Sequence, residues 1–124
     1  MRIVIIDDDM ALLKTLEMLF TGLEHEVIAF HDPYAAFEFF RTSQAVDTLI
    51  VDYMMPAMTG DEFLRRIRKY IQKDCKIILI SGYTDKIRTL DFEKLGVTTF
   101  LPKPLDLDNL YKAVGSEQNI DEFP

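Results

Sequence analysis

The stretch Ile3-Val4-Ile5-Ile6-Asp7-Asp8-Asp9 carries four apolar residues directly into three carboxylates. A short β-branched run bounded by polar residues is typical of a buried strand in a parallel sheet. Ligand sites in open α/β sheets lie beyond the carboxyl ends of such strands. This stretch therefore predicts a buried strand that ends in an acidic binding site.

Three later apolar runs each end in a different polar group, namely Asp52, Ser81 and Lys103. Clustered carboxylates raise one another's pKa unless a cation neutralises them, and hard divalent ions such as Mg²⁺ prefer oxygen ligands. The aspartate trio suits a metal site, and the lone Asp52 suits a nucleophile. The Ser81 hydroxyl could bind a phosphoryl oxygen, and the Lys103 ammonium could balance the phosphate charge.

Composition restricts the class of protein. The 124 residues are 48% hydrophobic, which suffices for one domain with a real core. Fourteen basic and 21 acidic residues give a net charge of -7, which disfavours direct nucleic-acid binding. The single cysteine, Cys75, excludes an intramolecular disulfide, and no apolar stretch is long enough for a signal peptide or membrane span. We expect a cytoplasmic setting.

Strand-like and helix-like segments alternate along the chain, which predicts repeated βαβ units around a parallel sheet. The strands are predicted near residues 2–7, 26–30, 48–52, 76–81 and 98–101. Helices are predicted after the aspartate trio up to Gly22, from Asp32-Pro33, from Thr59, over about 85–95 and over about 107–114. We expect one domain over 1–114 and a loose tail over 115–124.

Each polar residue also has an ordinary structural interpretation. Asp9 is as well explained by a helix cap as by a ligand role. Ser81 could be a turn hydroxyl, and Lys103 an ordinary surface lysine. Adjacent carboxylates at a buried strand end need compensation, so Asp7 and Asp8 favour a metal site.

Asp52 begins the stretch D-x-x-M-P-x-M-x-G, which ends at Gly60. With Asp7-Asp8 after the first strand, Ser81 after the fourth and Lys103-Pro104 after the fifth, it strongly resembles the response-regulator receiver domain (CheY-like) of two-component signalling. The resemblance covers residues 2 to about 114. It implies a flavodoxin-like, doubly wound, five-stranded parallel sheet of order 2-1-3-4-5 with five helices, in three α/β/α layers.

The resemblance also implies a role for each matching residue. Asp52 would accept a phosphoryl group from a histidine kinase or a phosphotransfer protein. Asp8 would bind Mg²⁺ or Mn²⁺ directly, Asp7 largely through water, and Asp52 and the backbone carbonyl of Met54 would complete the ligands. Ser81 and Lys103 would contact the phosphoryl oxygens, and the bond before Pro104 would be cis.

Phe100 matches the family's switch aromatic, at a position where many members have Tyr. The resemblance implies that Ser81 and Phe100 move on phosphorylation. A downstream protein would then bind the face formed by the predicted fourth helix, the fifth strand and the last helix. The expected role is signalling, with no enzymatic activity beyond the domain's own phosphorylation and dephosphorylation.

Met54 and Tyr83, two residues after Asp52 and Ser81 respectively, flank the path of the hydrolytic water in receiver domains. Both are bulky here, and neither carries a carboxylate or amide that would orient water. We therefore expect a long-lived phosphorylated form. The start at Met1 favours a free-standing or N-terminal receiver, whereas residues 81–85 resemble receivers fused to sensor kinases.

Other functional classes remain open. A haloacid-dehalogenase-type phosphatase would use Asp7 as nucleophile in an Asp-x-Asp pair with Asp9, but Ala11 departs from that pattern and no later acidic pair follows a strand. A pseudo-receiver would bind partners without phosphate. A flavodoxin is disfavoured because its phosphate cradle would be acidic here.

Overall fold

The computed structural model describes residues 1–42, 45–82 and 84–119. Its five strands form one all-parallel sheet in the order β2-β1-β3-β4-β5. The strands are β1 (Arg2–Ile6), β2 (Glu26–Phe30), β3 (Thr48–Asp52), β4 (Lys76–Ser81) and β5 (Thr99–Pro102). The predicted fold class and strand order are confirmed, and the strand ends differ by no more than a residue.

The helices lie on both faces of this sheet. They are α1 (Met10–Gly22), α2 (Pro33–Arg41), α3 (Gly60–Ile67) followed by a 3₁₀ turn (Arg68–Tyr70), α4 (Thr84–Ile87), α5 (Phe92–Leu95) and α6 (Leu107–Asn119). Within the described residues no helix is both long and apolar enough to cross a membrane.

Strand residues alternate between two cores because successive side chains point to opposite faces of a sheet. Ile3 and Ile5 of β1 pack with α1 and α6, whereas Val4 and Ile6 pack with α2 and α3. The three central strands β1, β3 and β4 are therefore buried on both faces, which explains their long apolar runs, whereas the outer strands β2 and β5 are only partly buried.

Local capping sets several helix starts. Asp9 Oδ1 accepts hydrogen bonds from the Ala11 and Leu12 amides at 3.1 and 3.2 Å, which begins α1. Asp32 Oδ1 accepts from the Tyr34 amide at 3.0 Å, with Pro33 in the first turn of α2. The predicted start of α2 is confirmed, and the helix-cap interpretation of Asp9 describes its contacts.

The predicted fourth helix is wrong as a single element. It consists of α4 and α5, so the described residues hold six helices and not five. The Leu90 amide closes the end of α4 on the Ile87 carbonyl at 3.0 Å, and Asp91 starts α5 by accepting from the Lys94 amide at 3.2 Å. The Asp91 cap inside the segment therefore separates α4 from α5.

The last helix continues beyond its predicted end at Val114. Gly115 has non-helical angles (φ -107°, ψ 20°), so the regular part ends near the predicted residue and one further turn reaches Asn119. Residues 115–119 of the predicted tail therefore belong to α6, and residues 120–124 lie outside the described residues.

Candidate functional site

The carboxyl ends of β1, β3 and β5 bring three charged groups together. Asp7 follows β1, Asp52 is the last residue of β3 and Lys103 follows β5. Lys103 Nζ lies 3.1 Å from Asp7 Oδ2 and 3.4 Å from Asp52 Oδ2. Residues far apart in the sequence thus form one compact charged cluster at the predicted edge of the sheet.

The two carboxylates of this cluster are buried. Asp7 is 0% exposed and Asp52 is 3% exposed, whereas Asp8 is open to solvent. Asp7 Oδ1 accepts a hydrogen bond from the Asp9 amide at 2.9 Å. Asp9, which the sequence placed only as a possible cap or ligand, therefore also fixes Asp7 through its backbone.

Burial raises the pKa of Asp52 from its usual 3.8 to about 7, with the negative charge of Asp7 adding to the rise and Lys103 opposing it. Burial disfavours the charged form of Lys103, but its ion pairs with Asp7 and Asp52 outweigh the burial and raise its pKa. Lys103 thus remains a cation while Asp52 exchanges its proton near neutral pH.

The acidic cluster suits a hard divalent cation. One carboxylate oxygen from each of Asp7, Asp8 and Asp52 lies within 4.8 Å of the others. Among the described residues, the buried Asp7 Oδ2 accepts no hydrogen bond and is paired with Lys103 as an ion pair. A buried oxygen with unused acceptor capacity beside two further carboxylates fits Mg²⁺.

Ser81 and Phe100 occupy the two neighbouring strands. Ser81 is fully buried at the end of β4, and its carbonyl accepts a hydrogen bond from the Lys103 amide at 2.9 Å. Phe100 in β5 is half-buried, and its ring centroid lies 6.3 Å from that of Phe92 in α5. The Lys103–Pro104 peptide bond is cis.

The loop after β3 approaches the site closely. Met54 follows Asp52 by two residues and is 36% exposed. The Gly60 amide donates to the Tyr53 carbonyl at 2.7 Å, and a Cβ on Gly60 would lie 2.7 Å from the Asp52 carbonyl oxygen. Sequence reasoning gave Gly60 no packing role, although a glycine at the end of a strand-to-helix loop is a signal of close backbone approach. Tyr83 lies outside the described residues.

Comparison with known proteins gives a consistent family match. The family model described as "Response regulator receiver domain" matches residues 3–115. The transcriptional regulatory protein FlgR of Helicobacter pylori is 31% identical over 99% of this chain and 31% of its own length. The sporulation initiation phosphotransferase F of Bacillus subtilis is 26% identical over 91% of this chain and 90% of its own.

A solved structure shows the same likeness. The receiver domain from the hybrid histidine kinase CckA is 30% identical, with a TM-score of 0.78 over 94% of this chain and 98% of that one. Against three of the curated relatives, this chain spans only 25 to 31% of the relative's length.

Proposed function

The chain belongs to the response regulator receiver domain family, and from this premise we propose that Asp52 accepts a phosphoryl group and that the protein changes its binding surface in response. The observation that carries the proposal is the cluster of Asp52 with Lys103 at 3.4 Å and with the Asp7 and Asp8 oxygens within 4.8 Å. It supplies a nucleophile, a counter-charge and ligands for a cation in one place.

In the proposed reaction an Asp52 carboxylate oxygen attacks the phosphorus of a donor phosphohistidine in line with the bond to the leaving nitrogen. The new bond joins phosphorus to the Asp52 oxygen, and the phosphorus–nitrogen bond breaks with its electron pair going to the donor imidazole. Lys103 faces the phosphoryl oxygens and balances their charge. Catalysis comes from positioning and charge neutralisation.

Asp7, Asp8, Asp52 and the carbonyl of Met54 would hold Mg²⁺ or Mn²⁺. When bound, the ion supplies positive charge that offsets the repulsion between carboxylates and the incoming phosphoryl oxygens. Ionised Asp52 is the reactive form, so the proton that burial retains near pH 7 must leave before attack.

Phosphorylation adds about -1.5 to -2 charge at neutral pH. We propose that Ser81 then donates a hydrogen bond to the phosphoryl group and that Phe100 shifts against Phe92, whose ring it contacts. The downstream partner would bind the face formed by α4, α5, β5 and α6. The upstream partner would be a histidine kinase or a phosphotransfer protein.

The phosphatase alternative has less support. Its second aspartate would be Asp9, whose Oδ1 accepts the Ala11 and Leu12 amides and so caps α1. The Asp9 carboxylate therefore caps α1, which disfavours a role as the general acid beside Asp7.

The test is intact-protein mass spectrometry after incubation with acetyl phosphate and Mg²⁺. The wild type should gain one phosphate. Asp52→Asn should gain none, and Asp74→Asn, a matched change at an exposed aspartate near the opposite edge of the sheet, should gain as much as wild type. An unphosphorylated wild type would instead support a phosphate-independent binding module.

A further inference from the structure

A concave site lies near the amino-terminal ends of the strands, at the opposite end of the sheet from Asp52. It is a cavity of about 430 Å³ between α3 with its 3₁₀ turn, the start of β4 and the end of α5. Its floor is apolar and consists of residues that are almost fully buried, namely Leu64, Ile67, Cys75, Ile77 and Leu95. Its volume is that of cavities which take small organic ligands.

All charged residues that line the cavity are basic. They are Arg68, Lys69 and Lys73, and all three are exposed at its mouth. In a chain with a net charge of -7, this is a local excess of positive charge. Any ligand here meets an apolar floor and a cationic mouth.

These three cations differ from their neighbours in what they contact. Arg65 and Arg66, one turn earlier, pair with Asp61 and Glu62 at 2.8 Å each. Across the described parts of the chain, the three cations at the mouth form no ion pair with a carboxylate. Their positive charge is thus available to a ligand.

Arg68 and Lys69 each contact an uncharged group. Arg68 Nη1 donates to the Lys94 carbonyl, which ties the 3₁₀ turn to α5 across the mouth. Lys69 Nζ lies 5.2 Å from the centre of the Tyr70 ring. A guanidinium has five N–H donors, so Arg68 retains donors for an anion.

We propose that this cavity binds a small organic anion with an apolar body and a phosphate, sulfonate or carboxylate head. The apolar body occupies the floor beside Ile77 and Leu95, and the head lies at the mouth between Arg68, Lys69 and Lys73. A small molecule fits better than a protein surface because the apolar residues lie inside a concave space and not on an exposed patch.

The probe for this site is 8-anilinonaphthalene-1-sulfonate, whose fluorescence rises on transfer to an apolar environment. We expect saturable binding with one equivalent, and amide shifts in a ¹⁵N-labelled wild-type sample confined to residues 64–77 and 94–96. N-phenyl-1-naphthylamine, which has the same aromatic body without the sulfonate, should bind at least tenfold more weakly.

Lys73→Glu should weaken binding of the anilinonaphthalene sulfonate about tenfold, whereas Lys14→Glu, the same charge change at an exposed lysine of α1, should leave it unchanged. Circular dichroism melts verify that both variants fold. The amide shifts are measured on the wild-type protein, so they test the site even if a variant fails to fold. Shifts that map elsewhere, equal binding of the uncharged probe, or equal losses in the two variants would overturn the proposal.

Discussion

The chemistry of the site depends on a few side chains whose charges oppose one another. Asp7 and Asp52 are both buried, and Lys103 is the cation that lies within 3.4 Å of each. One ammonium does not neutralise two carboxylates, so one of them retains a proton more strongly than it would in water. Burial is the main cause of the raised pKa of Asp52, and the charge of Asp7 adds to the rise.

This raised pKa predicts how stability depends on pH in metal-free protein. The folded state holds the Asp52 proton up to about pH 7, whereas an unfolded aspartate releases it near 3.8, so stability falls as pH rises between these values. Asp52→Asn removes that loss. With a chelator present, we expect the variant to exceed wild type in unfolding free energy at pH 8 by up to about 4 kcal/mol, since a rise of about three pKa units corresponds to that free energy.

At pH 4 the two proteins should differ much less, since Asp52 is then protonated in the folded state. Urea denaturation at the two pH values measures both differences. A gap that stays constant with pH, or widens toward acid, would contradict the assignment of the raised pKa to Asp52.

Mg²⁺ should stabilise the wild-type protein because it binds the folded acidic cluster and relieves carboxylate repulsion. At ten times the dissociation constant the gain is about 1.4 kcal/mol, or roughly 4 °C in melting temperature. Asp8→Ala should remove most of this shift, and Asp106→Ala, an exposed aspartate outside the cluster, should retain it. A Mg²⁺ shift that survives Asp8→Ala would show that Asp8 is not a ligand.

Met54 bears on phosphoryl lifetime through the water that hydrolyses phospho-Asp52. Met54 follows Asp52 by two residues, and its apolar, partly exposed side chain offers no group that orients water. Met54→Asn should therefore speed phosphate release, by up to about a hundredfold if the amide positions the water. The measurement is phosphate release from isolated phosphoprotein in Mg²⁺, with Met18→Asn, at an exposed methionine of α1, as control. An unchanged or slower rate would show that Met54 does not control water access.

At the scale of elements, the loop from β3 to α3 is held close to the site by a glycine. A Cβ at Gly60 would lie 2.7 Å from the Asp52 carbonyl oxygen and 3.0 Å from Tyr53 Cα, and both are backbone atoms that cannot move aside cheaply. Gly60→Ala should therefore cost about 1 to 3 kcal/mol of stability, as overpacking does.

Gly22→Ala is the matched control, since a Cβ there meets nothing within 4 Å. It should be neutral or stabilising by up to about 1 kcal/mol through helix propensity. Thermal melts of both variants decide the point. A Gly60→Ala protein as stable as Gly22→Ala would contradict the close approach.

The elements also show where sequence reasoning succeeds and where it fails. The central strands β1, β3 and β4 were predictable because they are buried on both faces and therefore carry long apolar runs. The division into α4 and α5 was not, because Ile87 and Leu95 both face the core and the spacing permits one helix. The helix breaks because Asp91 caps α5 and the Leu90 amide closes a turn on Ile87. These local hydrogen bonds compete with those of a continuous helix, and the apolar pattern does not show which set is more stable.

The charge at the site was predictable in type but not in detail. Parallel strands place Asp7, Asp52, Ser81 and Lys103 at one edge, so their grouping followed from the strand ends. The hydrogen bond from the Asp9 amide to Asp7 Oδ1 and the ring contact of Phe92 with Phe100 required the folded coordinates, since neither depends on a periodic pattern.

For the whole molecule, the fold separates two binding chemistries along the strand direction. The carboxyl edge of the sheet gathers carboxylates with Lys103 and suits a cation and a phosphoryl group. The cavity with the basic mouth lies near the amino-terminal ends of the strands. The acidic cluster has the same sign as the overall charge of -7, whereas the basic mouth opposes it, and composition alone could not locate either.

The central claim is that Asp52 carries the phosphoryl group. Protein treated with acetyl phosphate and Mg²⁺ is reduced with borohydride, which converts a phosphorylated aspartate to homoserine, and the position is read by tandem mass spectrometry. We predict homoserine at residue 52 alone. Homoserine at residue 7 would contradict the account and identify Asp7 as the nucleophile of a phosphatase.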